Sequence, residues 1–177
     1  MIPRAHITAW RSQAPWPTDA QVEQDLVLTR ALTEIFKWSA IAKAVAFRGG
    51  TALHKLYFEH PGRYSEDIDL VQIEAGPIGH VLDAIRERLD PWMGEPRRKR
   101  GHGRVTIVYR FDTTLEPRQQ MRLKIEINTR STIPRIVSVV TIVLKLLFLK
   151  RGFFIHTAFF KFFPTTTWAR FVSSNFR

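Results

Sequence analysis

Two carboxylates alternate with apolar residues in the stretch Asp67-Ile68-Asp69-Leu70. Successive side chains of a strand point to opposite faces, so Asp67 and Asp69 share one face while Ile68 and Leu70 face the core. Carboxylates that share a face repel each other, and magnesium is the hard divalent cation that binds such pairs together with nucleotide phosphates. The alternative is a solvated edge strand, which is disfavoured because Glu66 adds a third acid and no Lys or Arg alternates with them.

A glycine turn, Gly49-Gly50-Thr51, precedes the acidic strand. Glycine allows backbone amides to approach a phosphate closely, and the positive end of a helix beginning at Thr51 favours an anion there. The Thr51 hydroxyl would be an additional donor. An ordinary tight turn before a helix is the alternative, but the two aspartates downstream favour a phosphate site. The glycine turn and the aspartates together predict metal-assisted nucleotidyl transfer.

A third candidate strand carries charged side chains on one face. In the segment 123–127 the Leu and Ile residues face one way, and Lys124 and Glu126 face the other. Glu126 could complete the metal site or accept the proton of an attacking hydroxyl, and Lys124 could offset phosphate charge. An ion pair between Lys124 and one of the aspartates is the alternative. Just before the acidic strand, Arg63 is a candidate ligand of a triphosphate and Ser65 would shape the turn.

The hydrophobic pattern predicts one leading helix followed by strand, helix, strand, helix, strand and strand. The predicted helices span residues 18–37, 51–59 and 77–89, and the predicted strands span 44–47, 67–73, 104–111 and 121–128. Residues 1–17, rich in Trp and Pro, are predicted to form an irregular arm, and residues 97–103 a basic turn. The order fits an α/β protein with a small mixed sheet, and it places the three polar motifs on strands or at strand ends.

The formal charge of +11 is distributed unevenly along the chain. All acidic residues lie between Asp19 and Glu126, where they nearly balance the basic ones, whereas residues 127–177 contain eight basic residues and no acidic one. The run from Arg97 to Arg100, followed by His102 and Arg104, could contact a nucleic-acid backbone or form a solvated hairpin loop.

Composition also bounds the class of protein. A chain of 177 residues with 45% hydrophobic content fits one domain with a core. The absence of cysteine excludes a disulfide framework and a thiolate metal site. The first eleven residues lack the apolar stretch of a secretory signal, which predicts a cytoplasmic protein.

Three segments resemble the AbiEii-type nucleotidyltransferases, the toxin halves of abortive-infection toxin-antitoxin pairs. They are residues 47–57, 63–70 and 123–130, which read FRGGTALHKLY, RYSEDIDL and LKIEINTR. The resemblance implies the minimal nucleotidyltransferase fold with flanking helices, Mg²⁺, an NTP substrate, a cognate antitoxin, and an acceptor that in some relatives is the 3′ end of tRNA. It assigns the nucleotide phosphates to Gly49, Gly50 and Thr51, the metal to Asp67 and Asp69, and the third-strand motif to Lys124 and Glu126.

The resemblance extends from about Val22 to Arg130, and the tail departs from it. The family continues into a helical C-terminal region with a further Lys and an Arg-Asp motif, whereas residues 131–177 are basic and rich in Phe. No membrane span is expected, because Lys145, Lys150 and Arg151 interrupt the apolar run. We predict that the tail is translated out of frame.

The predicted organisation is therefore an arm at 1–17, a nucleotidyltransferase domain at 18–130 and an atypical tail at 131–177. The predicted function is a toxin nucleotidyltransferase that is truncated and impaired. The alternatives are a non-catalytic remnant that binds nucleotide or antitoxin, and a membrane-associated basic peptide.

Overall fold

The computed structural model describes residues 2–56 and 64–130. The helices are α1 (Arg4–Arg11), α2 (Asp19–Lys37), α3 (Ser39–Ala44), α4 (Gly49–Leu56) and α5 (Gly79–Met93). The strands are β1 (Val45–Arg48), β2 (Asp67–Gln72), β3 (Arg97–Gly101), β4 (Arg104–Asp112) and β5 (Gln120–Asn128). Arg63 and the tail at 131–177 lie outside the described residues, so their predicted roles and the out-of-frame origin of the tail stay predictions.

The strands form one mixed sheet in the order β1-β2-β5-β4-β3. The β2 and β5 strands pair in parallel, and the other three pairings are antiparallel. The mixed sheet with helices that the sequence predicts is therefore confirmed. In the parallel register Asp67 lies opposite Lys124 and Asp69 lies opposite Glu126, so the two charged strand motifs become direct neighbours.

One face of the sheet packs against helices and forms the core. Helix α2 contacts β2 and β5, and α5 contacts β4. The apolar half of each alternating pattern is buried in this layer, as in Ile68 and Leu70 of β2 and Leu123, Ile125 and Ile127 of β5. Helix α2 begins at a capping box in which Thr18 and Gln21 satisfy each other's backbone N–H groups. The opposite face carries the charged side chains of Asp67, Asp69, Lys124 and Glu126.

The prediction of an irregular N-terminal arm is wrong for residues 4–11, which form α1. Pro3 precedes the helix in an extended conformation, and Ile7 and Trp10 lie one turn apart on its buried side. The Trp and Pro content of the segment suggested irregular structure. The spacing of three residues between the two buried side chains was the helical signal that this composition hid.

The prediction of a basic turn at 97–103 is wrong for residues 97–101, which form the edge strand β3. All five residues of β3 are exposed and pair antiparallel with β4. Gly103, at a φ of 75°, lies in the turn between these strands. Since β3 has no buried face, no apolar alternation revealed it, and its positive charges suit an edge that must not pair with other chains. The six-residue helix α3 was also missed.

Among the helices of the described segments, none is both long and apolar enough to cross a membrane.

Candidate active site

The aspartates of β2 and the glutamate of β5 lie on the same face of adjacent strands. Asp67 and Asp69 alternate with the fully buried Ile68 and Leu70, which fixes their orientation away from the core. Parallel pairing places Glu126 directly beside Asp69. All three carboxylates are half-buried and remain accessible from the polar face. The structure thus places the three residues that the sequence assigned to a metal on one face of two adjacent strands.

Lys124 lies between two of these carboxylates. Its Nζ atom is 3.0 Å from Oδ2 of Asp67 and 3.5 Å from Oε2 of Glu126. The hydrogen bond to Asp67 is the largest cause of a raised Lys124 pKa, which Glu126 raises further. This is the cross-strand ion pair that the sequence offered as an alternative for Lys124. The Lys124 ammonium is therefore already in a position to offset the negative charge of nucleotide phosphates.

The negative charge of Asp69 is incompletely compensated by its neighbours. Burial raises the Asp69 pKa, Arg48 opposes that rise, and the negative charges of Asp67 and Glu126 reinforce it. Arg48 is the last residue of β1 and is opposite Asp69 in the antiparallel register. The ionised form of Asp69 is therefore costly without a cation, and a divalent ion would relieve that cost.

The glycine turn lies immediately beside Asp69. Gly49 has a φ of 81°, and a Cβ atom built on it would be 2.3 Å from Oδ2 of Asp69. Gly50 has open space where its side chain would be, and both glycines are exposed. Gly49 is thus required both for its backbone conformation and for the close approach of Asp69. Backbone of the first turn of α4 remains open to a ligand.

Thr51 connects the glycine turn to the acidic strand. It is 1% exposed, and its hydroxyl donates to the backbone oxygen of Asp67 at 2.6 Å. The same hydroxyl is 2.5 Å from Oγ of Ser65. The two hydroxyls that the sequence placed near the nucleotide are therefore hydrogen-bonded to each other, and that of Thr51 is also bonded to the β2 backbone. This arrangement holds the start of α4 against the start of β2.

The donor set fits magnesium in its chemistry, since it consists of carboxylates on one face, one of which is destabilised by the other two. Over residues 2–56 and 64–130, however, no three His, Asp or Glu side chains are grouped as a preformed metal site. The Lys124 ammonium instead provides the positive charge between Asp67 and Glu126.

Two basic residues of the site were missed in the sequence. Arg48 faces Asp69, and its signal was its position directly before the glycine pair at the end of a strand. Arg104 of β4 has its Nη1 atom 3.8 Å from Oε1 of Glu126. The sequence left Arg104 between a contact with a nucleic-acid backbone and a solvated loop, and only the pairing of β4 with β5 shows that it lies near a site carboxylate.

Comparison with protein-family models shows which family this chain belongs to. Residues 30–156 match the model of the nucleotidyl transferase AbiEii toxin family, a type IV toxin-antitoxin system. The chain belongs to this family. The AbiEii match ends beyond Arg130, so it includes part of the tail in which the motif resemblance stops.

Two solved structures have a fold similar to that of this chain. MenT4, a nucleotidyltransferase toxin from Mycobacterium tuberculosis H37Rv, superposes with a TM-score of 0.53 at 19% identity, over 73% of this chain and 44% of that chain. JHP933 from Helicobacter pylori superposes with a TM-score of 0.51 at 17% identity, over 67% of this chain and 47% of that chain. The chain thus spans less than half the length of these two structures. A comparison with curated proteins gave no match.

Proposed function

We propose that this chain is a magnesium-dependent nucleotidyltransferase and the toxin of a toxin-antitoxin pair. The observation that carries the proposal is the register of β2 and β5, which puts Glu126 beside Asp69, the residue that lies against Gly49 of the glycine turn. Membership of the AbiEii family supports the same chemistry. The reaction would transfer a nucleotide from an NTP to the hydroxyl of an acceptor.

Each residue of the site has a role in this reaction. Asp67, Asp69 and Glu126 would hold Mg²⁺, which supplies charge neutralisation and Lewis-acid polarisation of the phosphates. The backbone at Gly49 and Gly50 would bind phosphate oxygens at the start of α4. Lys124 offsets negative charge on the phosphates.

Other groups of the same face would complete the reaction. Glu126 can alternatively accept the proton of the attacking hydroxyl, because it is half-buried and lies on the open face. Ser65 supports the turn through its contact with Thr51. Arg63 is proposed for the triphosphate tail from its position in the sequence.

The acceptor we propose is RNA, such as tRNA. One row of residues crosses the sheet through paired positions: Arg48, Asp69, Glu126, Thr106 and Lys99. Because neighbouring strands lie about 4.8 Å apart, the backbone of Lys99 is about 14 Å from that of Asp69 along this row. That separation suits a nucleic-acid strand whose end reaches the carboxylates while its backbone contacts β3.

The next row places Arg97 on the same face of the sheet, in line with Lys124. Arg98 and Arg100 alternate with these residues and point to the other face, where they are also exposed. The positive charge of β3 is thus available from the side on which the reaction would take place. An antitoxin protein is the further partner we propose from the family, and we propose the cytoplasm as the location.

We propose that transfer is slow, because the sequence after Arg130 shows no match to the Lys and Arg-Asp elements of the family's C-terminal region. Labelled NTPs incubated with total tRNA and Mg²⁺ test this, with Asp69→Asn and a full-length family member as controls. Weak labelling that requires Asp69 supports the proposal, and labelling equal to that by the full-length member contradicts the impairment.

A non-catalytic remnant is the second candidate, favoured by the ammonium of Lys124 between two carboxylates. Binding of magnesium NTP without any labelling of RNA would select this candidate. Absence of both binding and labelling would reject the nucleotide site altogether.

A further inference from the structure

The N-terminal arm lies outside the segment that matches the AbiEii family, which begins at residue 30. It is nevertheless well packed. Ile2, Ile7, Trp10 and Trp16 are 7%, 1%, 4% and 6% exposed. A segment that was expected to be irregular therefore places two tryptophans in the core, and each has contacts that lead to the candidate active site.

Trp10 reaches α4 through a buried ion pair. Its Nε1 atom donates to Oδ2 of Asp25 in α2 at 3.3 Å. The other oxygen of Asp25 accepts from Lys55 of α4, and Lys55 also donates to Oγ1 of Thr29 at 3.0 Å. The side chains of Lys55 and Asp25 are 5% and 6% exposed, so water cannot replace either partner. The C-terminal turn of α4 is thus fixed to α2.

The charge state of this pair is consistent with a fixed contact. Burial alone would raise the pKa of Asp25, but the Lys55 charge and the hydrogen bonds from Lys55 and Trp10 lower it below its ordinary value. Asp25 is therefore ionised at neutral pH, and Trp10 is one of its hydrogen-bond donors.

Trp16 contacts the chain on both sides of residues 57–63. Its ring centroid is 5.4 Å from that of His54 in α4 and 5.0 Å from that of Tyr64, just before β2, with edge-on geometry in both cases. The Tyr64 hydroxyl donates to Oε1 of Gln24 at 2.7 Å, which ties the same point to α2. One side chain of the arm therefore packs against the segments that carry Gly49 and Asp67.

We propose that Trp10 and Trp16 are positioning residues, through which the arm sets helix α4 relative to the acidic strand. The inference rests on the proposed nucleotide site. The two ends of α4 are held by different contacts: Thr51 bonds the first turn to β2, and Lys55 bonds the last turn to α2 beneath the arm. Loss of the arm contacts would release the last turn and tilt the glycine turn away from Asp69.

Trp16 can be replaced without the loss of a side-chain hydrogen bond. Within the part of the chain that the structure describes, its buried indole N–H has no hydrogen-bond partner. Trp16→Leu thus removes the ring contacts without breaking a hydrogen bond, and Trp16→Phe keeps an aromatic ring at the same place. Trp10→Phe removes the donor to Asp25 and keeps an aromatic ring at this buried position. Leu89→Ala, on the fully buried side of a different helix, α5, is a destabilised control.

The test compares MgATP affinity, measured by titration calorimetry on folded protein, with amide hydrogen exchange in α4. Because small misplacements of binding groups have large effects, we expect Trp16→Leu to weaken MgATP binding by about tenfold. Trp10→Phe should weaken it in the same direction, Trp16→Phe should restore it, and Leu89→Ala should leave it unchanged. Exchange at residues 51–56 should accelerate in Trp16→Leu and Trp10→Phe by more than the loss of global stability accounts for, whereas in Leu89→Ala it should accelerate only by that amount.

Wild-type affinity together with wild-type exchange in Trp16→Leu and Trp10→Phe would overturn the inference. An equal loss of affinity in Leu89→Ala would also overturn it, since that loss would reflect general destabilisation. If wild-type protein does not bind MgATP, the proposed function fails. Amide exchange in α4 then still tests the inference: accelerated exchange in the Trp variants supports a role of the arm in holding the helix, and unchanged exchange rejects it.

Discussion

Gly49 and Gly50 are adjacent in sequence, but we expect their replacement by Ala to have opposite effects. Gly49 has a φ of 81°, a conformation in which a side chain costs about 1–3 kcal/mol. Its new Cβ would also be 2.3 Å from Oδ2 of Asp69, so the carboxylate must leave its place. For a chain of this size, 1–3 kcal/mol lowers Tm by about 2–12 °C.

Gly50→Ala is the matched control, because a Cβ at Gly50 meets nothing within 4 Å and the backbone needs no left-handed conformation. Ala is the better helix former, so the free energy of unfolding should stay the same or rise by up to about 1 kcal/mol. Urea unfolding gives the two stabilities, and calorimetric titration with Mg²⁺ in the presence of ATP gives the occupancy of the site. We expect Gly49→Ala to lose magnesium-dependent ATP binding. Equal stability and equal magnesium dependence in the two variants would refute the role given to Gly49.

Three further perturbations have defined outcomes. Asp69→Asn should raise Tm of the protein in EDTA, because the raised Asp69 pKa means that its ionised form is costly in the folded state; a lowered Tm would contradict this. Asp25→Asn leaves Lys55 buried without its charge partner and should cost about 3–5 kcal/mol in urea unfolding at pH 7. The folded-state pKa of Asp25 lies below the ordinary 3.8. The stabilisation that ionised Asp25 gives the wild-type protein is therefore fully present above pH 3.8 and is lost as the pH falls through the folded-state pKa. Asp25→Asn should not show this loss of stability at low pH. Arg97→Ser with Lys99→Ser should weaken RNA binding and lower the slope of log affinity against log salt by about 1–2, while stability changes by less than about 0.5 kcal/mol because β3 is exposed; an unchanged slope would place the RNA elsewhere.

Alternation made the central strands predictable from the sequence. β2 and β5 each have buried apolar residues at every second position, so the strands and the direction of their charged side chains follow from a period of two. The residue types at Thr18 and Asp19, both common helix N-caps, marked the start of α2, and the structure has Thr18 as the N-cap. The sequence could therefore place the three carboxylates on a shared polar face before any pairing was known.

The local sequence pattern could not predict contacts between residues that are far apart in the chain. β3 has no apolar residue, so it became visible as a strand only through its pairing with β4. The bond from Lys55 to Asp25 joins residues 30 positions apart, and neither residue type marks its partner in the sequence. Arg48 was missed for the same reason, because its place beside Asp69 depends on which strand adjoins β2.

Magnesium dependence of nucleotide binding tests the central claim most directly, namely that Asp67 and Asp69 form one site with Glu126. Calorimetry would titrate ATP into wild-type protein and into Asp67→Asn with Asp69→Asn, each with Mg²⁺ and with EDTA. We predict that wild-type protein binds ATP more tightly with Mg²⁺ and that the double variant loses this difference while it stays folded. A double variant that keeps the wild-type magnesium dependence would contradict the account.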